Sequence, residues 1–201
     1  FPAQNSFIDL SRKLLDLKED SFFRFLSCEV IERSPNAFFR SVMVDRGVED
    51  SVRVGMPVVG YRGLVGRISE VFPGGSEVVL IKNKSISVSC TNQRSRVVGM
   101  LEWDRGNLFR LEYVGKEEDV ATGDTLVTSG LGRLFPKGFP VGAVYQVVDE
   151  RSGISKRVWV ASFANLNALE ELFIVTGGRD WNDTRVFDEL EKLERPRGGK
   201  R

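Results

Sequence analysis

Apolar residues recur along this chain with two different periods. Ala3, Phe7, Leu10, Leu14 and Leu17 are spaced 4, 3, 4 and 3, the a/d seam of a heptad. Asp9, Arg12, Lys13, Asp16, Lys18 and Glu19 form the solvated remainder, and continuing the heptad puts Ser21 and Arg24 on the seam, so the pattern ends near Leu17. Two structures satisfy it: the last turns of a longer coiled coil, with the seam as its self-association surface, or a single amphipathic helix packed on its own domain. The chain opens on Phe1-Pro2 without a Met and enters this periodicity at once. We therefore expect residues 1–27 to be the end of a coiled-coil helix whose upstream part, with any membrane anchor, lies outside this sequence.

From Cys28 onward the period changes. Short apolar runs separated by turn residues predict strands near 28–33, 38–45, 57–61, 63–72, 76–82, 86–91, 95–102, 107–114, 125–129, 140–150, 156–163 and 171–175. Gly74-Gly75, Asp104-Arg105-Gly106 and Ser152-Gly153 mark hairpin turns. Phe109, Leu111 and Tyr113 alternate with Arg110 and Glu112, giving one buried and one wet face. An internal echo links Glu49-Asp50-Ser51-Val52-Arg53-Val54-Gly55-Met56-Pro57-Val58-Val59 to Glu118-Asp119-Val120-Ala121-Thr122-Gly123-Asp124-Thr125-Leu126-Val127. In both, an acidic pair leads through a turn glycine into an apolar strand entry, which supports two related six-stranded units. Gly60, Gly63 and Gly66 recur every third residue without the Gly-Lys-Ser/Thr of a phosphate loop, and are explained as places where backbone approaches backbone. The tail 179–201 carries 7 basic and 6 acidic residues and is expected to be flexible or short-helical: Val186, Phe187, Leu190 and Leu193 suit a short helix before Pro196, and 195–201 has no core to join.

Composition strengthens the β reading. There are 26 Val and 7 Ile against 7 Ala, with 14 Phe, and such side chains fit a pleated surface better than a helix. No stretch approaches the ~18 uninterrupted apolar residues of a membrane helix. Cys28 and Cys90 can form one disulfide or stand as two buried thiols; neither lies in a CxxC and both sit among apolar strand residues, which favours buried thiols.

Charge and chemistry mostly exclude. Lys plus Arg is 29 and Asp plus Glu 28, so no field draws nucleic acid, although Arg94, Arg96, Arg105 and Arg110 with Trp103 and Phe109 have the residue types of a single-strand groove. There is no histidine, which removes Ser-His-Asp and Cys-His catalysis and histidine zinc sites. A serine hydrolase would then need a lysine base, and Ser129 with Lys137 is the best local pair. Adjacent carboxylates such as Asp149-Glu150 point to opposite faces of a strand and do not converge. We expect no cofactor, no metal and no enzyme activity. Tyr61, Trp103 and Trp159 are candidate contact residues, with Trp159, set between Val158 and Val160, better explained as core.

Several collinear blocks carry a resemblance. Val30-Ile31-Glu32-Arg33-Ser34-Pro35, Phe39-Arg40-Ser41, Val44-Asp45-Arg46-Gly47, Gly55-Met56-Pro57-Val58-Val59 and Gly63-Leu64-Val65-Gly66-Arg67-Ile68 resemble the opening of the periplasmic part of the MreC family of rod-shape-determining proteins. Leu111-Glu112-Tyr113-Val114, the run Gly123–Gly132, Phe135-Pro136-Lys137-Gly138-Phe139-Pro140-Val141-Gly142 and Leu169-Glu170-Glu171-Leu172-Phe173-Ile174-Val175 resemble its second half. The resemblance implies two six-stranded β-barrels after a coiled coil, the first split by insertion of the second. On that basis 28–61 plus 134–178 would form the first barrel and 62–133 the inserted one. It further implies a scaffold of the cell-elongation complex at the periplasmic face of the inner membrane. Such a scaffold dimerises or assembles further and contacts MreD and a penicillin-binding transpeptidase with its RodA partner. Strand edges left exposed are a physical means of such contacts.

Overall fold

The computed structural model describes residues 23–34, 40–132, 134–149 and 155–177. The coil seam Ala3, Phe7, Leu10, Leu14 and Leu17, the tail 179–201 and the Ser152-Gly153 turn lie outside the described residues.

Twelve strands are present among the described residues, β1 (Arg24–Arg33), β2 (Ser41–Val44), β3 (Pro57–Gly60), β4 (Gly63–Phe72), β5 (Gly75–Leu80), β6 (Ser87–Asn92), β7 (Val98–Arg105), β8 (Leu108–Glu112), β9 (Thr125–Thr128), β10 (Pro140–Asp149), β11 (Lys156–Ser162) and β12 (Glu171–Gly177). Period-2 alternation is clearest in β11, where Val158 and Val160 are buried while Arg157 before them and Trp159 between them face out, whereas β3 is buried along its whole length. Strand β1 begins at Arg24, so residues 24–27 belong to the sheet and not to the coil, because Arg24 to Cys28 pair with Gly177 to Leu172 of β12.

The strands close into two barrels, β12-β1-β2-β5-β4-β3 and β6-β7-β8-β11-β10-β9. The first barrel is indeed split by the second, but the division differs from the one expected. The inserted barrel runs from Ser87 to Ser162, not 62–133, and β4 and β5 stay with the first barrel. The reason is local. A hairpin one turn long pairs β3 with β4 and another pairs β4 with β5, and short-range antiparallel pairing keeps all three in one sheet. Closure also uses up the strand edges, so the expected exposed edges are confined to strands that outrun their neighbours.

Written from β12, the first barrel has the same order of strands as the second. Strands β12, β1, β2, β3, β4 and β5 correspond in turn to β6, β7, β8, β9, β10 and β11, and every pairing in one has its counterpart in the other. The sequence echo falls on corresponding positions. Gly55 (φ 87°) donates to Ile68 O and Ile68 donates to Met56 O; Gly123 (φ 90°) donates to Val144 O and Val144 donates to Asp124 O, all at 2.8 Å. Both glycines occupy left-handed backbone before the strand entry, and both partner strands carry a bulge just beyond the contact.

Each barrel has a dry centre. Val44, Val58, Leu64, Ile68 and Val78 pack in the first, and Cys90, Leu101, Phe109, Leu111, Leu126 and Val160 in the second, all at 2% exposure or less. Each such side chain contributes about 1.5–3 kcal/mol of burial. The two thiols lie in different barrels and are free, with burial raising the pKa of Cys28 to about 12 and that of Cys90 further. The barrels meet where Gly63 of β4 passes Pro140 of β10. A Cβ on Gly63 would stand 2.6 Å from Pro140 O, so only glycine permits this approach. Phe23 stacks on Phe139 with centroids 4.9 Å apart, and the Arg40 guanidinium lies 3.6 Å above the Trp103 ring.

Candidate functional site

The search for chemistry starts with Ser129 and Lys137. The Ser129 hydroxyl is bonded to Ser89 Oγ at 2.7 Å and accepts from Leu131 N at 3.0 Å, while the Lys137 side chain lies in an exposed turn. Ser129 thus ties β9 to β6 and holds the Gly130 turn; it is a structural hydroxyl. The arginines of the supposed groove are dispersed as well. Phe109 is inside the second barrel, Arg105 is at a hairpin tip, and Arg110 pairs with Glu112 at 3.0 Å on the outer face.

Arg94 has a different task. Its guanidinium grips Asp124 through Nε (2.7 Å) and Nη2 (2.8 Å), and Asp119 through Nη1 (2.6 Å) and Nη2 (2.9 Å). Asp124 also accepts from Asn92 Nδ2 at 2.6 Å and from Ala121 N at 2.9 Å. The Arg94 bonds hold both carboxyls below the usual range, Asp124 furthest. This network ties the turn after β6 to the segment entering β9. The acidic residues of the echo act here as a clamp on the barrel end. Sequence adjacency could not find it, because Arg94 is 25 and 30 residues from its partners.

What remains is surface. At one end of the first barrel a cleft of about 400 Å³ opens between the β3–β4 turn and the segment before β12, lined by Tyr61, Arg62, Ala168, Glu170 and Glu171. Tyr61 stacks edge-on against Phe173, with centroids 5.3 Å apart, and its hydroxyl donates to Glu171. That carboxylate raises the Tyr61 hydroxyl to about 12, so it stays a donor at all physiological pH values. Next to it, Arg33 donates to Asn167 O (2.7 Å) and Leu169 O (2.6 Å), and Lys82 donates to Leu166 O (2.8 Å) and Asn167 Oδ1 (2.9 Å). These cations fix the connection between the barrels. Burial first, then Arg40 and Arg33, lowers the Lys82 pKa.

The second barrel presents an outward row. Trp159, expected in the core, is half-buried on the outer face, because the buried positions on either side of it are Val158 and Val160. Register places it between Gln146 of β10 and Arg110 of β8, with Tyr145 (60% exposed) beside it. Trp, Tyr and Arg are residue types enriched at protein contacts. Trp103 lies at the barrel junction under Arg40.

Comparison with known proteins agrees with the fold. Residues 30–176 match the family model described as rod shape-determining protein MreC, barrel core. This chain belongs to the MreC family. The cell shape-determining protein MreC of Caulobacter vibrioides is 33% identical over 143 residues, covering 71% of this chain and 41% of that protein. The crystal structure of MreC from Pseudomonas aeruginosa, 31% identical, superposes with a TM-score of 0.73 over 76% of this chain and 99% of that one. MreC in a Helicobacter pylori complex with the penicillin-binding protein PBP2, 18% identical, shares the fold with a TM-score of 0.60 over 78% of this chain and all of that one. This chain spans less than half the length of the Caulobacter relative.

Proposed function

We propose that this chain is the barrel portion of a non-catalytic scaffold that organises the peptidoglycan synthases of the cell-elongation complex and so maintains cell shape. The observation that carries the reading is the match of residues 30–176 to the MreC barrel core, a range that takes in strands of both closed barrels and the glycine-mediated junction between them. The surface chemistry supports it: the serine best suited to catalysis is spent on a structural bond, and the outer face of the second barrel carries Tyr145, Trp159 and Arg110. The relative in Helicobacter pylori forms a complex with PBP2, which makes a penicillin-binding transpeptidase the first partner to test, with MreD and RodA after it. A further neighbour, 22% identical, is the major periplasmic domain of the cell shape-determining filament MreC. That supports a periplasmic position for this chain and supports self-association; attachment of the full-length protein to the inner membrane is part of the same proposal.

Self-association would use the coil seam, Ala3, Phe7, Leu10, Leu14 and Leu17. Replacing Leu10 and Leu14 by Asp in the full-length protein should return monomers by light scattering at micromolar concentration, and an unchanged mass would refute the seam. The scaffold reading itself is tested by depleting the protein in its host and by affinity capture of the full-length chain. Loss of rod shape, with co-purification of the transpeptidase, is expected. Normal shape on depletion and no transpeptidase in the captured material would overturn it.

A further inference from the structure

Among the described residues the second barrel leaves a stretch of strand edge open at the end of β10. Strand β10 is ten residues long, yet β9 pairs only with Pro140 to Ala143, and the last bonds on that side are those of Val144 with Gly123 and Asp124. Beyond Val144 the strand is held, among the described residues, only by β11, through Asp149 opposite Lys156. Lys156 donates its N–H to Val114 O, away from β10, so Asp149 and Lys156 form a pair without mutual bonds. Asp149 therefore directs its main-chain N–H and C=O away from β11, and by alternation so does Val147. Among the described residues these four groups have no partner, and they form an open edge.

Natural strand edges are blunted by charge, proline or a covering segment. The corresponding stretch of the first barrel follows that rule. There β4 carries the exposed Glu70, and the 3-10 turn Val48–Asp50 reaches the end of the strand through Glu49 N to Pro73 O (3.5 Å). The β10 edge carries one charged residue, Asp149, at its end; the stretch Tyr145-Gln146-Val147-Val148 before it has no charge and no proline, and exposes Tyr145 at 60% and Val148 at 38%.

We propose that the β10 edge is a strand-pairing site for a second copy of this chain, with a two-fold axis at Val148. The edge is self-complementary in that one register. Antiparallel pairing about Val148 sets Val147 opposite Asp149 of the second copy, twice, so that all four open main-chain groups find partners. Asp149 then faces Val147 and not a second Asp149. Val148 meets Val148 across the axis in a pair without mutual main-chain bonds, the position where facing residues approach most closely, with Cα atoms about 4.5 Å apart. Tyr145 flanks the pair. This contact is separate from the coil seam and does not depend on the scaffold reading.

The axis supplies the test. Cys28 and Cys90 are buried at 3% and 0% exposure, so a cysteine placed at 148 is the accessible thiol of the described region. Facing residues at that separation are within disulfide reach. Under mild oxidation the Val148→Cys chain should form a disulfide-linked dimer at least tenfold faster than a Leu131→Cys control, whose position is 61% exposed on a loop of the same barrel. Equal rates would overturn the proposal. Val148→Lys places two ammonium groups face to face on an already exposed site, and should raise the dimer dissociation constant several-fold by analytical ultracentrifugation while leaving the thermal melt unchanged. An unchanged association constant would overturn it too, and would leave transpeptidase capture unaffected.

Discussion

Asp124 is the buried carboxylate of the Arg94 network. It is 7% exposed, and its carboxylate receives the Arg94 fork, an Asn92 amide and a backbone N–H. Replacing Asp124 by Asn should lower stability by about 2 kcal/mol at pH 7, in the range of charge-assisted bonds to a buried acceptor. The pH dependence has a definite sign. A carboxyl whose folded pKa is depressed stabilises above its unfolded value near 4, and that contribution is lost as pH falls below it. Urea unfolding should therefore show the wild-type midpoint falling between about pH 4 and pH 2, with the gap to D124N closing over the same window. A gap that stays constant with pH would mean the network carries no ionic contribution. The acidic pair and the glycine of this motif were visible in the sequence as an echo, whereas the clamp was not, since its guanidinium comes from a different hairpin.

At the level of the strand, Trp159 gives the clearest lesson. A tryptophan between two valines looks like core by composition, yet period-2 alternation allows only one set to face inward, and Val158 and Val160 are at 1% and 0% exposure. The expectation that Trp159 is packed inside put residue type ahead of phase. Thermal melts can check the assignment. Val160→Ala should cost about 2 kcal/mol through the cavity it leaves, while Trp159→Ala should cost roughly 1 kcal/mol or less, as a surface substitution. The reverse ranking would place Trp159 in the core. Strand positions themselves were legible to within a few residues, from Pro57 opening β3 to Gly63 opening β4, because turn glycines and alternating apolar runs are local signals.

For the whole molecule, the division into barrels decides what the cysteines can do. Cys28 belongs to β1 of the first barrel and Cys90 to β6 of the second, both buried and both shifted away from the reactive thiolate by burial. The native chain should show neither thiol reacting with an aromatic disulfide reagent at pH 8, and two reacting in guanidinium. Its melting temperature should not respond to dithiothreitol, and a reductant-dependent melt would reveal a disulfide. The sequence by itself determined the class, the twelve strands, the repeat and the family resemblance. It did so because alternation, turn residues and motif blocks are properties of neighbouring positions. Only the tertiary structure decided which strands share a barrel, that Arg94 clamps Asp119 and Asp124, that Trp159 faces out, and that β10 outruns β9. Each of these depends on pairing between segments far apart in the chain, where the free energy of closing a barrel chooses among registers that look equivalent one strand at a time.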